Sequence, residues 1–98
     1  MKIIHLNEEN FDELVNSEKR VLVDFFAEWC GPCKMFSTVL ENANIDVTVI
    51  KVDTDKFDDL ARKYGVMSIP TIILFEDGKE VKKNIGFLDK YELEDFLK

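Results

Sequence analysis

The chain has 98 residues, of which 46% are hydrophobic and 34% charged. That length suits one domain spanning residues 1–98, and an apolar fraction with eight phenylalanines can form a core, which excludes a disordered chain. Against 20 acidic side chains stand 13 basic ones, and the net charge of −7 repels phosphate backbones and anionic lipid, so nucleic acid and membrane surfaces are poor partners.

Lys2–Leu6 reads as a short first strand. Polar and acidic residues follow at once, without the apolar stretch or small-residue cleavage site of a signal peptide. The longest apolar runs, 21–27 and 69–75, fall far short of a membrane span, and a cytoplasmic location is the expectation. Asn7 is the expected N-cap of a helix that carries Phe11, Leu14 and Val15 on one face. Arg20–Ala27 is almost continuously apolar, the pattern of a strand buried on both faces. After the cysteines, Lys34–Glu41 has helical spacing through Met35, Phe36, Val39 and Leu40.

Val47–Val52 is a third strand, rich in β-branched residues. Thr54 or Asp55 can cap a helix bearing Phe57, Leu60, Ala61 and Tyr64, with Gly65 as its stop. Thr71–Phe75 and Glu80–Ile85 flank Asp77-Gly78, a strong hairpin signal. Asp89 can cap a last helix with Leu93, Phe96 and Leu97 inward. The order βαβαβαββα predicts an α/β fold, a five-stranded mixed sheet flanked by four helices. The first three strands should be parallel and the last two an antiparallel hairpin.

The chemistry centres on Trp29-Cys30-Gly31-Pro32-Cys33, where a buried strand gives way to a helix. Two cysteines three apart at a helix start can form a local disulfide. The first sits beside unsatisfied backbone N–H groups, which favour a thiolate and lower the thiol's pKa. An accessible thiolate attacks disulfides, and the second cysteine, one turn on, is placed to displace the product. Three other readings compete. A structural staple across so short a loop contributes only about 2 kcal/mol in the chain-entropy model. A zinc site lacks ligands, because there is no third cysteine and His5 is the only histidine. Two unrelated core thiols fit poorly with the flanking Trp and the intervening Gly-Pro.

These residues resemble the thioredoxin family. The match runs through Val23–Met35, Lys51–Asp53, Tyr64–Thr71 and Gly86 in the family's order. The resemblance implies the thioredoxin fold and protein-disulfide reductase activity at Cys30 and Cys33. Gly31 and Pro32 tune the pair and speak against an oxidase or isomerase. Protein disulfides are the implied substrates, and an NADPH-dependent flavoprotein reductase, a thioredoxin reductase, the implied recycling partner. The chain is expected to bind no cofactor and no metal, and to be a monomer.

Asp24 interrupts an apolar strand. By alternation alone it can point out at a strand edge. The resemblance instead buries it beneath the disulfide, with a raised pKa, assisting proton transfer at Cys33. Lys51 by itself reads as a snorkelling lysine, and the resemblance makes it a modulator near Asp24. Sequence alone predicts a trans bond before Pro70, whereas the resemblance implies a cis bond facing the cysteines. Trp29, Ile69, Pro70 and Gly86 are the implied substrate-docking residues, with Val66, Met67 and Phe87 as weaker candidates.

Three features depart from the family pattern. Phe26 stands where a second Trp is common, Thr38 replaces a proline, and the span from Cys33 to Lys51 is about one helical turn short. A straighter, shorter helix is expected there. The departures, with Met67 and Phe87, also motivate a second reading, a partner-docking module with incidental redox activity.

Overall fold

The computed structural model describes residues 1–98. Its elements are β1 (Lys2–His5), α1 (Phe11–Asn16), β2 (Arg20–Phe26), α2 (Gly31–Asn42), β3 (Thr48–Asp53), α3 (Asp58–Lys63), β4 (Thr71–Glu76), β5 (Lys79–Ile85) and α4 (Lys90–Phe96). The predicted order of strands and helices is the observed one. One five-stranded sheet runs β1-β3-β2-β4-β5. β1, β3 and β2 are parallel, while β4 is antiparallel to both β2 and β5.

β2 lies at the centre of the sheet, which explains its near-continuous apolar run. Its alternation divides the core. Val21, Val23 and Phe25 pack with Phe11, Val15 and Ala61, on the side of α1 and α3. Leu22 packs with Phe36, Leu40 and Leu93, on the side of α2 and α4. Asp24 has the parity of Leu22, so it faces α2. A central strand has no edge, and Asp24 is fully buried.

Several boundaries differ from expectation. The cap of α1 is Asn10, not Asn7, and Asn10 Oδ1 accepts the Glu13 N–H at 3.0 Å. Buried Phe11 therefore opens the helix. α3 starts at Asp58, later than a cap at Thr54 or Asp55 predicts. Those two residues form a turn instead. Thr54 donates its N–H to the Phe26 carbonyl at 2.8 Å, and Asp55 donates its own to Asp53 Oδ1 at 2.9 Å. Phe57 occupies the cap position with no side-chain cap, and Asp58 and Asp59 complement the positive helix end.

α2 starts at Gly31, three residues before the apolar pattern. Pro32 fits in that first turn, where a backbone N–H has no partner inside the helix. With Thr38 in place of a proline, α2 runs unbroken to Asn42. Asp77 (φ 52°) and Gly78 (φ 79°) make the predicted tight hairpin turn. Asp89 caps α4 through a complete capping box with Glu92.

Candidate functional site

The parallel strands β2 and β3 end on the same edge of the sheet as the start of α2, and the cysteines sit there. Cys30 is the N-cap of α2 and Cys33 its third residue. They are joined as a disulfide, with Cα atoms 5.2 Å apart. Two unconnected thiols are incompatible with that bond. The Cys33 backbone N–H points at Cys30 Sγ, 3.2 Å away. The first sulfur thus occupies the place of a capping oxygen, where orphan N–H groups and the helix dipole stabilise negative charge.

The pair is less open than the sequence implies. Cys30 keeps 5% of its surface exposed and Cys33 1%. Ala27, Phe26 and Ile69 pack around them. The remaining exposure belongs mainly to Cys30. Cys30 Sγ also lies 3.8 Å from the Ile69 carbonyl oxygen.

The Ile69–Pro70 bond is cis, as the resemblance implied and the local sequence did not. Pro70 is buried. Its carbonyl accepts the Gly86 N–H at 2.8 Å, which ties the end of β5 to this loop. Gly86 has φ 106°, a conformation that favours glycine. Trp29 and Met67 stand out into solvent, 71% and 96% exposed. Val66 and Phe87 are half-buried, each packing part of its side chain on one of the two cores.

Beneath the disulfide lies a charged pair. Asp24 and Lys51 are register partners on β2 and β3, and Lys51 Nζ is 3.4 Å from Asp24 Oδ2. Burial pushes the Asp24 carboxyl up to about 6, against the pull of the Lys51 charge. Neither Asp24 oxygen accepts a hydrogen bond from the protein. Lys51 does not snorkel into water. Its ammonium donates to Ser37 Oγ and lies 4.8 Å from the Phe26 ring centre. A cleft of about 300 Å³ opens beside it, lined by Cys33, Ser37, Lys51 and His5 among others. The second cysteine and Lys51 therefore share one opening, while Asp24 lies behind the lysine and outside its lining.

Two contacts escaped the sequence reading. One involves Ser37, for which a signal was available, since it lies four residues after Cys33 on the same helical face. The other involves Asp55. It accepts the Trp29 indole N–H at 2.9 Å across 26 residues of chain, a contact that only the folded β3–α3 turn creates.

The family model named Thioredoxin matches residues 2–98. A thioredoxin of Mycoplasmoides gallisepticum is 43% identical over 95 residues, covering 94% of this chain and 95% of that protein. One from Chlamydia trachomatis is 50% identical over 91 residues, covering 90% and 88%. Among solved structures, a mutant thioredoxin from Halobacterium salinarum superposes with a TM-score of 0.89 at 36% identity, over 96% of this chain and 86% of that one. With a capped, disulfide-bonded cysteine pair at the helix start and relatives aligned along nearly its whole length, the chain belongs to the thioredoxin family, the thiol–disulfide oxidoreductases that act on protein disulfides through such a pair.

Proposed function

We propose that Cys30 is the attacking sulfur and Cys33 the resolving one. In the reduced chain, Cys30 thiolate attacks one sulfur of a protein disulfide. A Cys30–substrate disulfide forms and the other substrate sulfur leaves as a thiolate. Cys33 then loses its proton and attacks Cys30 Sγ. The Cys30–Cys33 disulfide forms and the second substrate sulfur leaves. Two electrons pass to the substrate, and the chain ends oxidised.

The observation that carries this reading is the Cys33 N–H aimed at Cys30 Sγ, together with the greater exposure of Cys30. Asp24 serves as the base for Cys33. Its raised titration makes it a stronger base that is still ionised near neutral pH, and the cleft lined by Cys33 and Lys51 brings water toward it. Lys51 modulates Asp24 through its charge, and Gly31 and Pro32 keep the approach to the sulfurs low and open. Trp29, Ile69, Pro70 and Gly86 form the substrate platform. The Ile69 backbone lies beside Cys30, where an extended substrate segment can pair as an added strand.

The 98 residues work as one domain and as a monomer in the cytoplasm, and an NADPH-dependent flavoprotein reductase returns the disulfide to the dithiol. No helix of the chain is long and apolar enough to cross a membrane. The test is dithiothreitol-driven insulin reduction combined with trapping. Cys33→Ser should accumulate a covalent substrate adduct and Cys30→Ser should not. Equal adduct from both variants, or no acceleration over dithiothreitol with both thiols intact, would overturn the assignment. Unchanged partner capture by the variant with both cysteines replaced by Ser would instead support a docking module.

A further inference from the structure

Lys51 is surrounded by more partners than its pairing with Asp24 requires. Its ammonium has three N–H donors. One goes to Ser37 Oγ, and the Phe26 ring lies 4.8 Å from the charge. Asp24 Oδ2 is 3.4 Å away, longer than the roughly 2.7–2.9 Å of a charge-assisted hydrogen bond. An ammonium free to choose would close on a buried carboxylate, because a charge-assisted hydrogen bond is the stronger contact. The Ser37 hydroxyl is what the ammonium meets instead. It reaches Lys51 because Ser37 follows Cys33 by one helical turn and shares its inward face.

We propose that Ser37 is a positioning residue for the proton-transfer step: its hydroxyl holds the Lys51 ammonium short of a close hydrogen bond to Asp24 and so preserves Asp24 as a base for Cys33. The inference rests on the reading of Asp24 as that base. The charge of Lys51 still attracts the carboxylate, but across 3.4 Å and without the short hydrogen bond that would most favour the ionised form. Ser37 therefore sets how far the lysine tunes the acid. It acts through Lys51 and touches no substrate.

Other titratable groups border the same space. His5 faces it from β1, Glu28 from the turn before α2, and Cys33 and Lys34 from α2 itself. Asp53 lies two residues along β3 and accepts the Asp55 N–H. All of them stay in place when Ser37 alone is changed, so a comparison of variants isolates the hydroxyl.

The experiment is a carbon-13 NMR titration of the Asp24 carboxyl in the oxidised full chain, for the parent, Ser37→Ala and Ser37→Thr. Alanine favours helix and fits a half-buried site, so the fold is retained. Ser37→Ala should lower the Asp24 midpoint by about one pH unit, the lower end of what a close opposite charge does. Ser37→Thr keeps a hydroxyl on the same carbon and should restore the parent value. A midpoint that stays put or rises in Ser37→Ala overturns the role of Ser37. The premise is read separately, from the pH profile of mixed-disulfide resolution in Asp24→Asn. A profile identical to the parent's would remove the base reading, and the proposal with it, whatever Ser37→Ala does to the titration.

Discussion

Asp24 and Lys51 face each other from adjacent strands at 3.4 Å, buried together but farther apart than the roughly 2.7–2.9 Å of a charge-assisted hydrogen bond. Burial dominates this carboxyl, and the lysine only moderates it. The consequence for stability has a definite sign. Unfolded, the carboxyl titrates near its ordinary 3.8; folded, it titrates at about 6. Across that window the folded chain holds a proton that the unfolded chain has lost. Ionising Asp24 therefore subtracts stability as pH rises, and the loss is complete above the folded value. A shift of about two units corresponds to about 3 kcal/mol. Asp24→Asn removes this titration. The stability of the variant minus that of the parent should grow by about 2–3 kcal/mol between about pH 3.5 and pH 7.5. Urea unfolding at the two pH values measures it, and the other carboxyls cancel in the difference. A difference flat with pH would mean that the folded carboxyl has ordinary acidity.

The same carboxyl marks the boundary of what sequence can carry. The break in Val21–Phe26 singled out Asp24, but alternation left its direction open between core and edge. Only the strand order decides, because β2 is flanked by β3 and β4 and has no edge. Cys30, Cys33 and the helix start are local in sequence and were legible for that reason. The cis bond before Pro70 followed from resemblance and not from the dipeptide. Boundaries failed where a tertiary contact overrode a local signal. Thr54 has the chemistry of a cap, yet its N–H and hydroxyl both go to the Phe26 carbonyl of a neighbouring strand. Val66 and Phe87 are only half-exposed, because part of each apolar side chain found a core within reach.

Two glycines invite opposite expectations. Gly78 holds φ 79° in the hairpin turn, and a Cβ there would lie 2.0 Å from Asn16 Oδ1. Asn16 is not free to withdraw without loss, since its Nδ2 donates to the Asp12 carbonyl at 2.7 Å. Gly78→Ala should cost at least about 1–2 kcal/mol, from strain at positive φ and from that collision. Gly31 lies between the cysteines, but a Cβ there meets nothing within 4 Å and its φ is not positive. Gly31→Ala should change stability by no more than about 0.5 kcal/mol. Any effect should appear instead in the rate of exchange with protein disulfides. Thermal unfolding of both variants checks the contrast. Equal destabilisation would mean that the glycine of the active turn serves the fold and not access.

Trp29 is the only tryptophan, and it stands next to Cys30 with 71% of its surface exposed. An exposed aromatic ring usually samples several rotamers, but this one is held by the Asp55 carboxylate at 2.9 Å. The hydrogen bond links the ring to the β3–α3 turn, and so the proposed substrate platform to the fold. A disulfide beside an indole quenches its emission, so reduction of Cys30–Cys33 should raise fluorescence in one step that belongs to this ring alone. Asp55→Ala removes the anchor without touching the sulfurs. Its kcat/KM for a protein disulfide should fall by roughly two- to fivefold, the effect of one ordinary hydrogen bond used to order a side chain. Reaction with a small aromatic disulfide, which needs no platform, should be unaffected. Asp55→Asn keeps an acceptor and should retain most of the parent rate. If Asp55→Ala slowed both substrates equally, the anchor would be acting on the sulfurs and not on the docking surface. If it slowed neither, the exposed ring would be contributing nothing that depends on where it is held.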